Sequence, residues 1–180
     1  MATKQQVNVL STIISTFTLP ATTEKFVVRK KFVVDTKKEA KVKISFLSKD
    51  FQRMFGGKVE EPSAGSIVYG RKLNRNSVDT PILEELGGKR KAATTLTEVY
   101  AIMEHTEHYN GESSDLKNGS SSDVFYVPED DSEPEETLRA VYLDRDDEGW
   151  IVRADLVEVP LEWDADDRVF SHNSSAPQAV

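Results

Sequence analysis

The residues best suited to ligate a metal lie in "EHTEH" (104–108), where Glu104, His105, Glu107 and His108 crowd into one stretch. Histidines three residues apart share a helix face, a spacing that can present imidazole and carboxylate to a transition ion. The one other histidine, His172, is distant in sequence, so no matched second pair of ligands exists, and the segment reads as an exposed helix end. Nucleophilic catalysis has less to draw on: the serines cluster in "GESSDLKNGSSSD" (111–123) without a base at a recognisable spacing. Cysteine is absent. That removes thiolate nucleophiles, thiolate zinc sites and disulfides, and fits a reducing, cytoplasmic compartment. The glycine pairs 56–57 and 87–88 lack a phosphate-loop lysine pattern and read as helix ends. Carboxylates are too numerous for any one pair to mark a hydrolytic site. The expectation is a protein without catalytic residues or cofactor.

One stretch, "DRDDEGWIVRAD" (144–155), resembles an EF-hand calcium loop. Asp144, Asp146 and Glu148 take positions one, three and five, Gly149 takes six, Ile151 eight and Asp155 twelve. Two departures weaken the likeness. Position five is the longer Glu, and position twelve is Asp, which reaches an ion less well than the usual bidentate Glu. The flanks, "TLRAVYL" and "WIVRADLV", are rich in β-branched and aromatic residues and suit strands, whereas an EF-hand needs two helices. The stretch therefore reads as a tight acidic turn, and no metal is expected.

Charge is distributed unevenly. Residues 1–100 hold 18 Lys and Arg against 10 Asp and Glu, a balance of +8; residues 101–180 hold 5 against 21, a balance of −16, which together give the net −8. The basic excess centres on "EKFVVRKKFVVD" (24–35), which repeats KFVV at a period of six. Read with period two, this segment and "KVKISFL" (41–47) predict an antiparallel hairpin over 25–34 and 41–47, with Phe26, Phe32, Ile44 and Phe46 buried. Its other face would carry Lys25, Arg29, Lys31, Lys41 and Lys43, with Lys30 as the misfit. Such a face could track a phosphate backbone beside stacking rings such as Tyr69, Phe51 or Phe55. The hairpin's own Phe residues alternate inward and cannot stack on bases, so a solvated face whose lysines discourage edge-to-edge strand pairing is the better reading.

Around these candidates the elements follow from period and punctuation. "VNVLSTIISTFTLPA" reads as a first strand or helix, since five hydroxyl residues make it poor as a secretory signal, and no apolar run reaches membrane-spanning length. Ser48 caps a short helix ended by Gly56-Gly57, "SIVYGRKL" (66–73) is a strand, and Pro81 opens "PILEEL". Thr95 and Glu98 form a capping box for a helix over 94–109 closed by Asn110-Gly111, with a strand as the competing reading. "VFYV" is a short strand, "PEDDSEPEE" (128–136) a mobile acidic loop, "TLRAVYL" and "WIVRADLVEV" a second hairpin, and 171–180 a disordered C-terminal tail.

The fold class expected is α+β: an antiparallel sheet built from hairpins with two or three short helices. The expected organisation is a basic β-rich region at 1–110, a polar linker or loop at 111–123, and an acidic hairpin region at 124–170 belonging to the same fold. The function expected is a non-catalytic interaction or assembly protein whose charged surfaces bind a macromolecular partner, either another protein or another copy of itself. A single-stranded nucleic-acid binder with an acidic C-terminal half is the alternative. An enzyme with a scattered site comes third.

Overall fold

A computed structural model describes residues 8–108, 121–157 and 161–175. The chain is mixed α/β. Nine strands are described: β1 (Leu10–Leu19), β2 (Phe26–Val27), β3 (Ile44–Leu47), β4 (Val59–Glu60), β5 (Ser66–Leu73), β6 (Asp123–Pro128), β7 (Leu138–Arg145), β8 (Trp150–Leu156) and β9 (Arg168–Ser171). Between them lie α1 (Val28–Lys31), α2 (Lys49–Phe55), α3 (Asp79–Glu85), α4 (Lys89–Ala92) and α5 (Leu96–His108). Seven strands form one sheet in the order β1-β5-β9-β6-β7-β8-β3, while β2 and β4 pair separately. The sheet is mostly antiparallel but mixed, because β6 runs parallel to β9 and β3 parallel to β8.

Alternation along the strands builds a core on each face. Phe125 and Val127 of β6, with Phe170 of β9, pack against α1, α2 and α5. Val124 and Tyr126, with Val169, pack on the other side against α3 and α4. Both faces are covered, so β6 is buried along its whole length, as a central strand requires. Local signals place the helices. The Ser48 hydroxyl accepts the Phe51 amide at 3.0 Å and starts α2. The Thr95 hydroxyl accepts the Glu98 amide at 3.2 Å, while the Glu98 carboxylate accepts the Thr95 amide at 2.9 Å, completing the expected capping box. The helix reading of this segment is correct, and α5 runs to His108. The second hairpin also forms, β7 pairing antiparallel with β8 from Arg139↔Leu156 to Arg145↔Trp150.

The first hairpin does not form. Residues 28–31 make a single helical turn closed by the Phe32 amide on the Val28 carbonyl at 2.9 Å, and β3 pairs with β8 instead. Only the Asp35↔Ile44 bridge keeps the antiparallel geometry. The reason lies in the spacing. Val28 and Phe32 are four apart, which places them on one face of a strand and equally on one face of a helix turn. Phe26, Phe32 and Ile44 are buried by either route. The misfit Lys30 resolves too, because a helical turn points it out to solvent. Phe46, expected in the core, is 48% exposed on the edge strand β3, with the Arg153 guanidinium 5.9 Å over its ring.

The acidic loop, expected to be mobile, is instead a hydrogen-bonded turn. The Glu129 amide donates to the Thr137 carbonyl at 2.9 Å, Asp130 accepts the Ser132 amide at 2.8 Å, and Arg139 pairs with Glu129 at 2.8 Å. The start of the expected tail is ordered as well: Ser171 closes β9 and Asn173 donates to the Leu86 carbonyl at 2.7 Å. Most of the linker at 111–123 lies outside the described residues, as do 176–180.

Candidate functional site

The KFVV repeat builds a groove. Val28 and Phe32 turn inward, and the Phe32 ring settles among Phe51 (centroids 5.0 Å apart), Tyr100 (5.6 Å) and Phe26 (6.2 Å). That cluster fills the space below, so the next two residues have no core left to enter. Val33 is 47% exposed and Val34 55% exposed. The chain returns to the fold at Asp35, whose amide donates to the Ile44 carbonyl at 3.0 Å. Between this outward bulge and α2 lies a recess of about 350 Å³, lined by Val28, Phe32, Val33, Val34, Leu47 and Phe51, with Arg29, Gln52 and Gly56 completing it.

Its charge is one-sided: among the described residues Arg29 contributes to the wall and no carboxylate does, and Lys30 and Lys31 project from the same turn. Arg29 and Lys30 have no ion-pair partner among the described residues. Lys31 sits with its ammonium 5.8 Å from the centroid of the Tyr100 ring.

The five expected basic residues have different surroundings. Lys25 pairs with Glu61 at 2.7 Å and Lys41 with Glu104 at 2.6 Å. Lys43 is half-buried where its carbonyl accepts the Trp150 amide at 2.8 Å, Lys31 lies over Tyr100, and Arg29 lines the groove. Of the rings considered for base stacking, Phe51 and Phe55 are buried and Tyr69 is half-buried in β5. The basic and acidic parts of the sequence also meet directly, Lys58 with Asp131 at 2.5 Å and Lys72 with Asp166 at 2.7 Å.

The calcium-loop residues diverge. Asp144 accepts the Ser122 hydroxyl at 2.5 Å and the Arg153 guanidinium. Asp146 accepts the amides of Glu148 and Gly149, both at 2.8 Å, and closes the turn; desolvation pushes its carboxyl up, but these amides and the Ser45 hydroxyl together outweigh it and hold the carboxyl below its ordinary value. Asp155 accepts the Tyr142 hydroxyl at 2.8 Å, and Glu148 is exposed. Gly149, at φ +154°, is required for packing, since a Cβ there would overlap the Lys43 carbonyl. In "EHTEH", Glu104 pairs with Lys41, Glu107 with Arg145 at 3.2 Å, and His105 packs edge-on to Phe17; the His108 side chain lies outside the described residues. Among the described residues no three ligand-type side chains are placed to hold a metal.

Three buried polar clusters have no counterpart in the sequence reading. Asp123 and Arg168 form an ion pair at 2.6 Å with both side chains under 10% exposed; burial, opposed by Arg168 and assisted by Asp144 and Asp167, pushes the Asp123 carboxyl up to about 7. Asp79 accepts the Tyr126 hydroxyl at 2.7 Å and the Trp163 indole at 2.8 Å, and burial raises its pKa despite those donors. Glu98 accepts the Ser66 hydroxyl and contacts His172 Nε2 at 2.7 Å. Burial pushes the Glu98 carboxyl up, but His172, Ser66 and the Thr95 amide outweigh it and hold it below its ordinary value. The hydrogen bond to Glu98 in turn raises the His172 imidazole. The available signal was weak: Asp79 and Glu98 stand in the first turn of a helix, where capping explains them equally well, and Asp123 is a single acid beside a polar stretch. The first two clusters are closed to solvent. The third opens through His172.

Comparisons of the chain with protein-family models, curated proteins and solved structures find no match.

Proposed function

We propose that this protein is a non-catalytic binding module that docks an acidic, apolar segment of a partner protein in the groove between α1 and α2. The observation that carries this reading is the pairing of exposed Val33 and Val34 with a cationic turn whose Arg29 and Lys30 have no ion-pair partner among the described residues, on a wall that holds no carboxylate among them. Two valines left half in water on a folded surface mark a place where apolar area can still be covered. The adjacent cations favour a partner that brings carboxylates, through steering and register more than raw affinity. The recess is at the small end of ligand-sized pockets, roughly 300–1,000 Å³, and suits one or two side chains of a peptide. Covering the exposed parts of two valines contributes about 2 kcal/mol, well short of the roughly 8 kcal/mol of a micromolar complex, so weak, reversible docking is expected.

Selection of randomised displayed peptides on the full chain tests this. Enrichment of an apolar residue flanked by Asp or Glu supports the reading. Enrichment of basic peptides, or of none, counts against it. Sedimentation of the chain alone checks the rival occupant, a second copy: concentration-dependent self-association lost in Val34→Asp would assign the groove to that copy.

A further inference from the structure

A second recess, of about 310 Å³, lies between α4 and the turn that follows β9. Arg90, Lys91, His172, Asn173, Ser174 and Ser175 line it. We propose that this recess binds a phosphate-type oxyanion, the phosphate monoester of a small molecule, on Arg90, Lys91 and His172.

The wall is cationic in a protein of net charge −8, and no carboxylate among the described residues lines it. Arg90 and Lys91 are exposed and have no ion-pair partner among the described residues. His172 is held from behind by the buried Glu98 at 2.7 Å, which orients the ring and favours its charged form. Glu98 is itself fixed by Ser66 and by the start of α5, so the imidazole is positioned by the scaffold rather than by the turn alone.

Beneath the turn lies Arg71, 2% exposed, which donates to the carbonyls of Asn173 (3.4 Å) and Ser175 and has no carboxylate partner among the described residues. It adds a further positive charge close to the recess and occupies two carbonyls that would otherwise repel an anion. Three basic residues lining one recess with Ser174 match a dianionic tetrahedral group, for which charge-assisted hydrogen bonds are the strong ones. The volume leaves room for a small organic group as well.

Inorganic phosphate titrated into the full chain at constant ionic strength tests the site, read from the ring resonances of His172. A saturable shift at His172, absent with chloride, is expected, and the dissociation constant should rise by about tenfold or more in Arg90→Ser/Lys91→Ser and stay unchanged in Lys25→Ser. Glycerol phosphate should bind at least as well as phosphate. No saturable shift, an equal shift with chloride, or undiminished binding in the double variant would overturn the site. Binding to phosphatidic acid vesicles without binding to phosphate or glycerol phosphate would do so too. The outcome is independent of the groove between α1 and α2.

Discussion

The carboxylate of Glu60, at the end of β4, caps α5 by accepting the Thr97 amide and hydroxyl, at 2.8 and 2.6 Å, along with the Leu96 amide at 2.9 Å. A two-stranded ribbon thereby supplies the acceptor that the first turn of α5 lacks, and a negative charge there also complements the helix dipole. Thr95 and Glu98 satisfy their own amides reciprocally, so the two devices together cover most of the free donors at this helix end.

Replacing Glu60 with Ala leaves buried amides without acceptors and should cost about 1–2 kcal/mol. Glu60→Gln, which keeps one acceptor and loses the charge, should cost less. Equilibrium denaturation of both variants measures this. A cost for Glu60→Ala no larger than that of an exposed Glu61→Ala would contradict the capping role.

Gly70 marks a close approach of three strands. A Cβ there would overlap the Ser15 hydroxyl and lie 2.6 Å from the Phe170 ring. The ring cannot retreat, since it stacks on Phe125 at 4.8 Å within the core. Gly70→Ala should therefore destabilise by about 1–3 kcal/mol. Ser15 itself is buried with no partner for its hydroxyl among the described residues. Ser15→Ala should be neutral or stabilising, because it removes an unsatisfied group. A clear loss of melting temperature in Ser15→Ala would show that the hydroxyl is satisfied in solution.

The Glu98–His172 pair makes stability depend on pH in a defined window. His172, raised above its free value of 6.5, contributes stability that is fully present below that pH and is lost as pH rises through its folded value. Glu98, held below its free value of 4.5, contributes stability present above that pH and lost as pH falls through its folded value. Between the two free values both contributions are present. His172→Gln should thus lower the melting temperature more at about pH 5.5 than at about pH 9 in phosphate-free buffer. The side chain is 40% exposed, so the difference should be modest. Equal losses at both pH values would contradict the assignment.

What the sequence disclosed depended on whether the signal was local. Ser48, the Thr95–Glu98 box and the alternation of β7 and β8 each act within a few residues, and each is realised. The segment 25–34 misled because spacings of four satisfy a strand and a helix turn alike, so burial of Val28 and Phe32 did not choose between them. Its pairing was lost for the same reason: β3 takes β8, about a hundred residues on, as its neighbour, and nothing local encodes a parallel partner. The groove was invisible because Val33 and Val34 read as two more β-branched strand residues. Only the packing of Phe32 against Phe51 shows that no room was left for them. The cap by Glu60 and the seat of His172 on Glu98 are contacts across the fold, and composition carries no trace of them.

The central claim is that the groove beside Arg29, Val33 and Val34 is where this protein binds. Its most direct measurement is the affinity of a peptide enriched on the wild-type chain for Val34→Asp and Arg29→Glu, with Lys72→Glu on β5, which does not line the groove, as a control. The expected result is a loss of about thirtyfold or more in Val34→Asp, a smaller and salt-dependent loss in Arg29→Glu, and no change in the control. Affinity unchanged in both groove variants, with all three proteins folded, would contradict the account.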